Sequence, residues 1–199
     1  MKKMLTTAAF AVLATAASAQ VSNFEGLFLN VNAEFKSTNV KFSDTSSSFS
    51  GVGSANTIGS IGAEYATEMG GILMLLGGKY DLGSTNIISF STTGASLTMK
   101  EKSHYQIYVA PAKVLSPDSI AYVKLGYDKS KGETAATDSV TETVSIHGVT
   151  LGAGLRTRIA KNTFFNVEAG RTNYSTKSLV GSNADAATTY GMIGLSFKY

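Results

Sequence analysis

Over the last ten positions of the chain the side chains alternate: Gly191, Ile193, Leu195, Phe197 and Tyr199 share one face, and Tyr190, Met192, Gly194, Ser196 and Lys198 share the other. A period of two predicts a β-strand whose faces meet different surroundings. The same pattern recurs along the chain. Near 27–36, Leu27, Leu29, Val31, Ala33 and Phe35 oppose Phe28, Asn30, Asn32 and Glu34; near 58–67, Ile61, Ala63 and Tyr65 oppose Ser60, Gly62 and Glu64. A third run, 72–83, is apolar on both faces at first, which assigns Leu73 and Leu75 to the interior near one end, and then sets Tyr80 and Leu82 against Lys79 and Asp81. Near 103–113, Tyr105, Ile107 and Val109 oppose His104, Gln106 and Tyr108; near 120–128, Ala121, Val123, Leu125 and Tyr127 oppose Tyr122, Lys124, Gly126 and Asp128. Two further runs set Val149, Leu151, Ala153 and Leu155 against Gly152, Gly154, Arg156 and Arg158, and Phe165, Val167 and Ala169 against Asn166, Glu168 and Gly170.

Eight strands result, and their connections alternate in length. Residues 37–57, 84–102, 129–143 and 175–185 are long and rich in Ser, Thr and Gly, whereas 67–71, 115–119 and 159–162 are tight turns. Long loops on one rim and turns on the other predict an all-β fold, an eight-stranded antiparallel up-and-down barrel with both termini at the turn end. Pro111 cannot donate to a ladder and is expected near a strand end or a bulge. Gly51-Val52-Gly53-Ser54 has no strand-to-helix context and reads as part of an outer loop, not a phosphate cradle.

The start of the chain changes the picture. Lys2 and Lys3, an apolar stretch over 4–15, and Ala17-Ser18-Ala19 have the order of an export leader. Cleavage after Ala19, with Ala17 as the other small residue of the site, divides the chain into a signal peptide, 1–19, and a barrel domain, 20–199. Removing the leader lowers the formal charge from +3 to +1 because Lys2 and Lys3 leave with it. No basic run remains that suits nucleic acid, and with 0 Cys there is neither a disulfide framework nor a lipid-anchored cysteine. The longest apolar run of the mature part is 72–76, far short of the roughly 20 residues a spanning helix needs. In a membrane such a chain must be a closed barrel, since only helices and closed barrels pair every backbone group in lipid.

Cost then decides which face meets lipid. A Lys or Arg on the lipid side at mid-bilayer costs about 2–4 kcal/mol, which turns Glu34, Glu64, Lys79, Lys124, Arg156 and Glu168 inward as a polar network of the lumen. A soluble lipid-binding barrel would reverse the two faces; the aromatic C-terminus and the rhythm of long and short loops speak against it.

On these residues the chain resembles the small outer-membrane barrels of Gram-negative bacteria, the porin-like surface antigens that include the opacity, OmpX and OmpW proteins and the OmpA membrane domain. The carriers are Ala17-Ser18-Ala19, the turn Leu115-Ser116-Pro117-Asp118-Ser119 with the strand Ile120 to Tyr127 after it, and the closing Gly194-Leu195-Ser196-Phe197-Lys198-Tyr199. The resemblance implies that Phe197 and Tyr199 form the signal read by the barrel assembly machinery, with Tyr199 where Phe is commoner. It also implies a monomer in the bacterial outer membrane with both termini periplasmic. Partners would be outer-membrane lipid and lipopolysaccharide, and a host or surface ligand at the outer loops. With 0 Trp, the interfacial girdles fall to Tyr65, Tyr80, Tyr105, Tyr127, Phe35 and Phe165.

An eight-stranded barrel is just wide enough for its own side chains, so the six lumen charges are expected to lock together. The sharper alternative is a narrow path for ions or small solutes. Lipid A-modifying enzymes occur on related scaffolds, and Ser145 and His147 share an outward face here, but their order is Ser-x-His, and the nearby acid that could orient the base, Glu142, is expected in a loop. His104 has no metal-site spacing around it and reads as a polar residue near the rim. The expectation is a structural, surface-exposed barrel serving adhesion or envelope integrity, with no catalytic residues, metal or cofactor.

Overall fold

The computed structural model describes residues 21–43, 48–92, 95–136, 139–179 and 182–199. The leader positions Lys2, Lys3, Ala17 and Ala19 lie outside them. A short 3-10 turn, Val21–Asn23, precedes β1 (Gly26–Ser43), β2 (Ser48–Val52), β3 (Ala55–Met69), β4 (Ile72–Leu82), β5 (Ser84–Thr92), β6 (Ala95–Ser116), β7 (Ser119–Ala136), β8 (Ser139–Ala160), β9 (Thr163–Tyr174), β10 (Lys177–Leu179) and β11 (Ser182–Lys198).

Eight of these strands make one ring. The hydrogen-bonded order β1-β3-β4-β6-β7-β8-β9-β11 returns to β1, and each pairing is antiparallel. The seam between the first and last strands runs without a shift from Phe28↔Lys198 to Ser43↔Asn183. Three tight turns, at Gly70-Gly71, Pro117-Asp118 and Lys161-Asn162, sit at the same end as both described termini. Positive φ at Gly70 (62°) and Gly71 (83°) explains the glycine pair there.

The alternation read from the sequence sorts the side chains. Outward Leu125 is 52% exposed, Leu151 61% and Ile107 59%, while their chain neighbours Lys124 and Gln106 are each 2% exposed and Thr150 is 0%. This inverts a soluble barrel. On β8 the outward apolar run from Val149 to Ile159 has the length of a strand crossing hydrocarbon. Exposed Tyr65, Phe165, Phe197 and Tyr199 mark its turn end, and Phe35, Tyr80, Tyr105 and Tyr127 the other.

The long connections differ from the loops expected, except at 86–98, where Ile87, Ile88, Phe90 and Leu97 also admit a hairpin extension. Their backbones continue as strands: β5 pairs with the first half of β6, β2 with the end of β1, β10 with β11, and β7 and β8 keep one register from Ser119↔Thr157 to Thr134↔Glu142. Ser and Thr on both faces erase the apolar-polar period without opposing a strand, since Thr is itself β-favouring. Gly51 and Val52, read as loop, accordingly belong to β2.

Barrel and hairpins meet at two special residues. Gly83 (φ 122°) separates β4 from β5, and Ser103 (φ 51°) lies in the bulge where β6 leaves its barrel register with β7. Pro111 departs from its expected place. It lies well inside β6 opposite Met74 of β4; on its other side the ladder to β7 skips from Val109↔Leu125 to Ala112↔Tyr122 with the register unchanged. The missing N–H interrupts two rungs locally rather than ending the strand.

Candidate functional site: the charged lumen

A sheet closed at eight strands leaves an interior of side-chain width, and the inward residues fill it in layers. At the turn end, Phe24, Phe28, Leu73, Leu75, Ile120 and Phe164 form an apolar plug. The incoming chain contributes to it: Phe24 N–H donates to Val21 O at 2.8 Å, turning the Phe24 ring against Phe164 with centroids 5.7 Å apart. Phe28 meets Phe164 nearly edge-on at 5.3 Å.

Above the plug the lumen becomes ionic. Arg156 lies 4.8 Å over the Phe28 ring, donates to Glu64 Oε1 at 2.6 Å, and through Nε to Asn166 Oδ1 at 2.8 Å. Asn166 donates onward to Ser196 Oγ at 2.6 Å, and Ser196 to Asn30 Oδ1 at 2.5 Å. Lys124 pairs with Glu168, whose oxygens also accept from Tyr122 at 3.0 Å and Tyr190 at 2.8 Å. Tyr108 donates to Glu64 Oε2 at 2.9 Å, and its ring lies 5.0 Å from the Lys124 ammonium. In the next layer Lys79 pairs with Glu34 at 2.5 Å, Ser60 donates to the same carboxylate at 2.8 Å, and Lys36 bridges Glu34 at 3.7 Å and Asp81.

Glu34, Glu64, Lys79, Lys124, Arg156 and Glu168 thus occupy one interior, none more than 8% exposed, as three cation-carboxylate pairs. Removing one partner of such a pair leaves an uncompensated charge and costs about 3–5 kcal/mol.

His104 differs from the rim residue expected. It is 4% exposed and held between two carboxylates, with Nδ1 2.7 Å from Asp81 Oδ2 and Nε2 2.9 Å from Asp128 Oδ1. Only an imidazolium presents an N–H to both. Asp128 also accepts from Gln106 Nε2 at 2.8 Å and from Thr150, which contacts Thr172 at 2.6 Å. The signal was available: Asp81, His104 and Asp128 share the inward parity of Lys79, Gln106 and Lys124. What a linear reading could not give is the register that makes them neighbours, since 23 residues separate His104 from Asp81 and 24 from Asp128.

A second apolar cluster, Val40, Ile87, Met99, Ile146 and Ala184, lies inside the barrel at the hairpin end. Between the two plugs lies a cavity of about 20 Å³, lined by Asn30, Glu64, Lys124, Arg156 and Glu168 among others. That is room for about one water molecule. Inward glycines make space for rings rather than solvent: a Cβ on Gly154 would lie 2.5 Å from Tyr122, and one on Gly170 2.6 Å from Tyr190.

Across its length, residues 5–199, the chain matches the family profile described as outer membrane protein beta-barrel domain. It belongs to that family. This outer-membrane barrel is similar in fold to three solved relatives from Gram-negative bacteria. The attachment invasion locus protein Ail of Yersinia pestis, solved with the heparin analogue sucrose octasulfate, is 13% identical, with 87% of this chain and 99% of that one covered and a TM-score of 0.51. Neisserial surface protein A is 10% identical over 88% and 98%, with a TM-score of 0.53. The outer membrane protein OprG of Pseudomonas aeruginosa is 10% identical over 88% and 96%, with a TM-score of 0.52. The search of curated proteins returned no significant match.

The outward pair lies on β8. Ser145 is exposed opposite Lys131 and His147 half-buried opposite Lys129, and among the described residues no carboxylate bonds to either. No group of three His, Cys, Asp or Glu suited to a metal occurs among the described residues. Phe197 and Tyr199 face outward, 40% and 77% exposed.

Proposed function

We propose that this outer-membrane protein is a non-catalytic structural barrel that closes its own lumen and presents its paired hairpins to the outside of the cell, with both termini in the periplasm. The observation that carries the reading is the lumen itself. An ion-paired middle with space for about one water, between two apolar plugs, suits a wall better than a conduit. In planar bilayers the folded protein is expected to show no conductance steps. Reproducible single-channel steps would overturn the reading in favour of a narrow pore.

Its remaining parts have their own tests. Protease added to intact cells is expected to cut in the hairpins and leave the C-terminal tail untouched. Cleavage after Ala19 gives a mature protein beginning at Gln20, readable by N-terminal sequencing. Phe197 and Tyr199 serve as the assembly signal, so removing both lowers the amount of folded barrel delivered by the assembly machinery. An unchanged lipid A acyl pattern with and without the protein is expected of a non-enzyme. The barrel closes without a free edge in its ring, which favours a monomer. Adhesion is the surface role favoured by the fold shared with the Yersinia protein and its sulfated-sugar complex, and binding of intact cells to a heparin-coated surface measures it.

A further inference from the structure

Immediately beyond the outer aromatic rim, the first outward side chains around the ring are Lys102 on β6, Lys129 on β7, His147 on β8 and Arg171 on β9. On the other half they are Thr189, Ser37, Thr57 and Ser84. One position further out, Lys100 and Lys131 continue the basic half beside Ser145 and Asn173, while Asn39, Ala55, Asn86 and Ala187 continue the neutral one. On that half of the circumference three strands carry a lysine or arginine and the fourth a histidine, whereas the other half is uncharged.

The cations are set against one another. Lys102 is the ladder partner of Lys131. Like charges directly opposite on one face destabilise a sheet. Among the described residues one carboxylate relieves them: Glu133 pairs with Lys102 at 2.5 Å. These side chains point sideways from the wall rather than up from the hairpin tips, and they begin where the apolar band ends. Anions at that depth are headgroup phosphates, which lysine and arginine hold by charge-assisted hydrogen bonds; their alkyl stems lie along apolar surface while the charged heads reach the interface.

We propose that the half-collar of Lys100, Lys102, Lys129, Lys131, His147 and Arg171 binds the phosphorylated headgroup of a membrane lipid packed against β6 to β9, while the opposite half of the rim takes no particular lipid. The assignment rests on the reading that the hairpin end faces outward, which makes the lipid one of the outer leaflet.

Native mass spectrometry of the full-length folded protein in detergent, titrated with bisphosphorylated lipid A and with the same lipid dephosphorylated, tests it. At about one unit of membrane-surface attraction per cation, the variant Lys129→Gln/Lys131→Gln/Arg171→Gln binds the phosphorylated lipid about 100-fold more weakly. The turn-end variant Lys161→Gln binds as the parent does, and the dephosphorylated lipid binds the parent as weakly as phosphorylated lipid binds the triple variant. If the triple variant loses its folded gel mobility, Lys131→Gln alone carries the test, with about fivefold weakening. Equal binding of the two lipids, unchanged binding by the variants, or preferential binding of sucrose octasulfate at the same cations would overturn the proposal. Detergent binding does not depend on orientation, so a hairpin end found protease-protected in cells would move the lipid to the inner leaflet and leave the collar intact.

Discussion

Lys124 and Leu125 are neighbours in the chain and occupy opposite solvents. The ammonium is 2% exposed among Glu168, Tyr108 and Tyr190, while the leucine is 52% exposed on the outer wall. In a water-soluble protein the two would exchange places. Here the exposed surface faces hydrocarbon, where leucine loses nothing by exposure, and the interior is the place a charge can find partners. The inner face is held by specificity: each cation has a named carboxylate, and each tyrosine has a glycine to lie against. The outer face is held by composition, since many apolar residues would serve at position 125 and few side chains would serve at 124.

The largest effect that sharpens this contrast comes from inside. Arg156→Met strands Glu64 beside Tyr108 and is expected to lower unfolding free energy by about 3–5 kcal/mol in urea titrations of the micelle-embedded barrel. The double change Arg156→Met/Glu64→Gln should recover much of that loss. If the single variant is as stable as the parent, the lumen is wet enough to screen its charges. Next comes the outer face: Leu125→Arg puts a cation against lipid and should cost about 2–4 kcal/mol in bilayers, with a smaller effect in detergent, whose shell deforms more easily. A stable Leu125→Arg barrel in bilayers would mean that this face does not meet hydrocarbon. Tyr190→Phe removes one donor to Glu168 and is expected to cost about 1.5–3 kcal/mol, seen as an earlier loss of the folded gel band on heating. The smallest effect belongs to the hairpins. Lys102→Ala breaks a half-exposed pair with Glu133 and should change stability by less than about 1 kcal/mol.

How far the sequence reaches follows from the same contrast. The faces of all eight ring strands are legible because burial in a one-side-lipid barrel writes a period of two, clearest at Leu27 to Phe35 and at Val149 to Leu155. The hairpin extensions are harder to read because Ser and Thr occupy both faces between the few inward apolar residues, Val40, Ile87, Met99, Ile146 and Ala184, and break the period. In the lumen, the inward list was readable and the partners were not. Arg156 and Glu64 lie 92 residues apart, and no local pattern reports which inward acid a given cation reaches. His104 shows the limit most sharply: the lack of an acid or Cys cluster around it in sequence said nothing about Asp81 and Asp128, which arrive from neighbouring strands through register alone.

The seam between β1 and β11 sets the timing of biogenesis. Val31 finds Leu195 across it, and Thr38 reaches Thr188 through its hydroxyl at 2.8 Å, so the earliest strand to emerge must wait for the latest before either has a neighbour on that side. Until that seam forms, the sheet has two raw margins. Closing the ring is therefore what pairs the backbone groups of both margins.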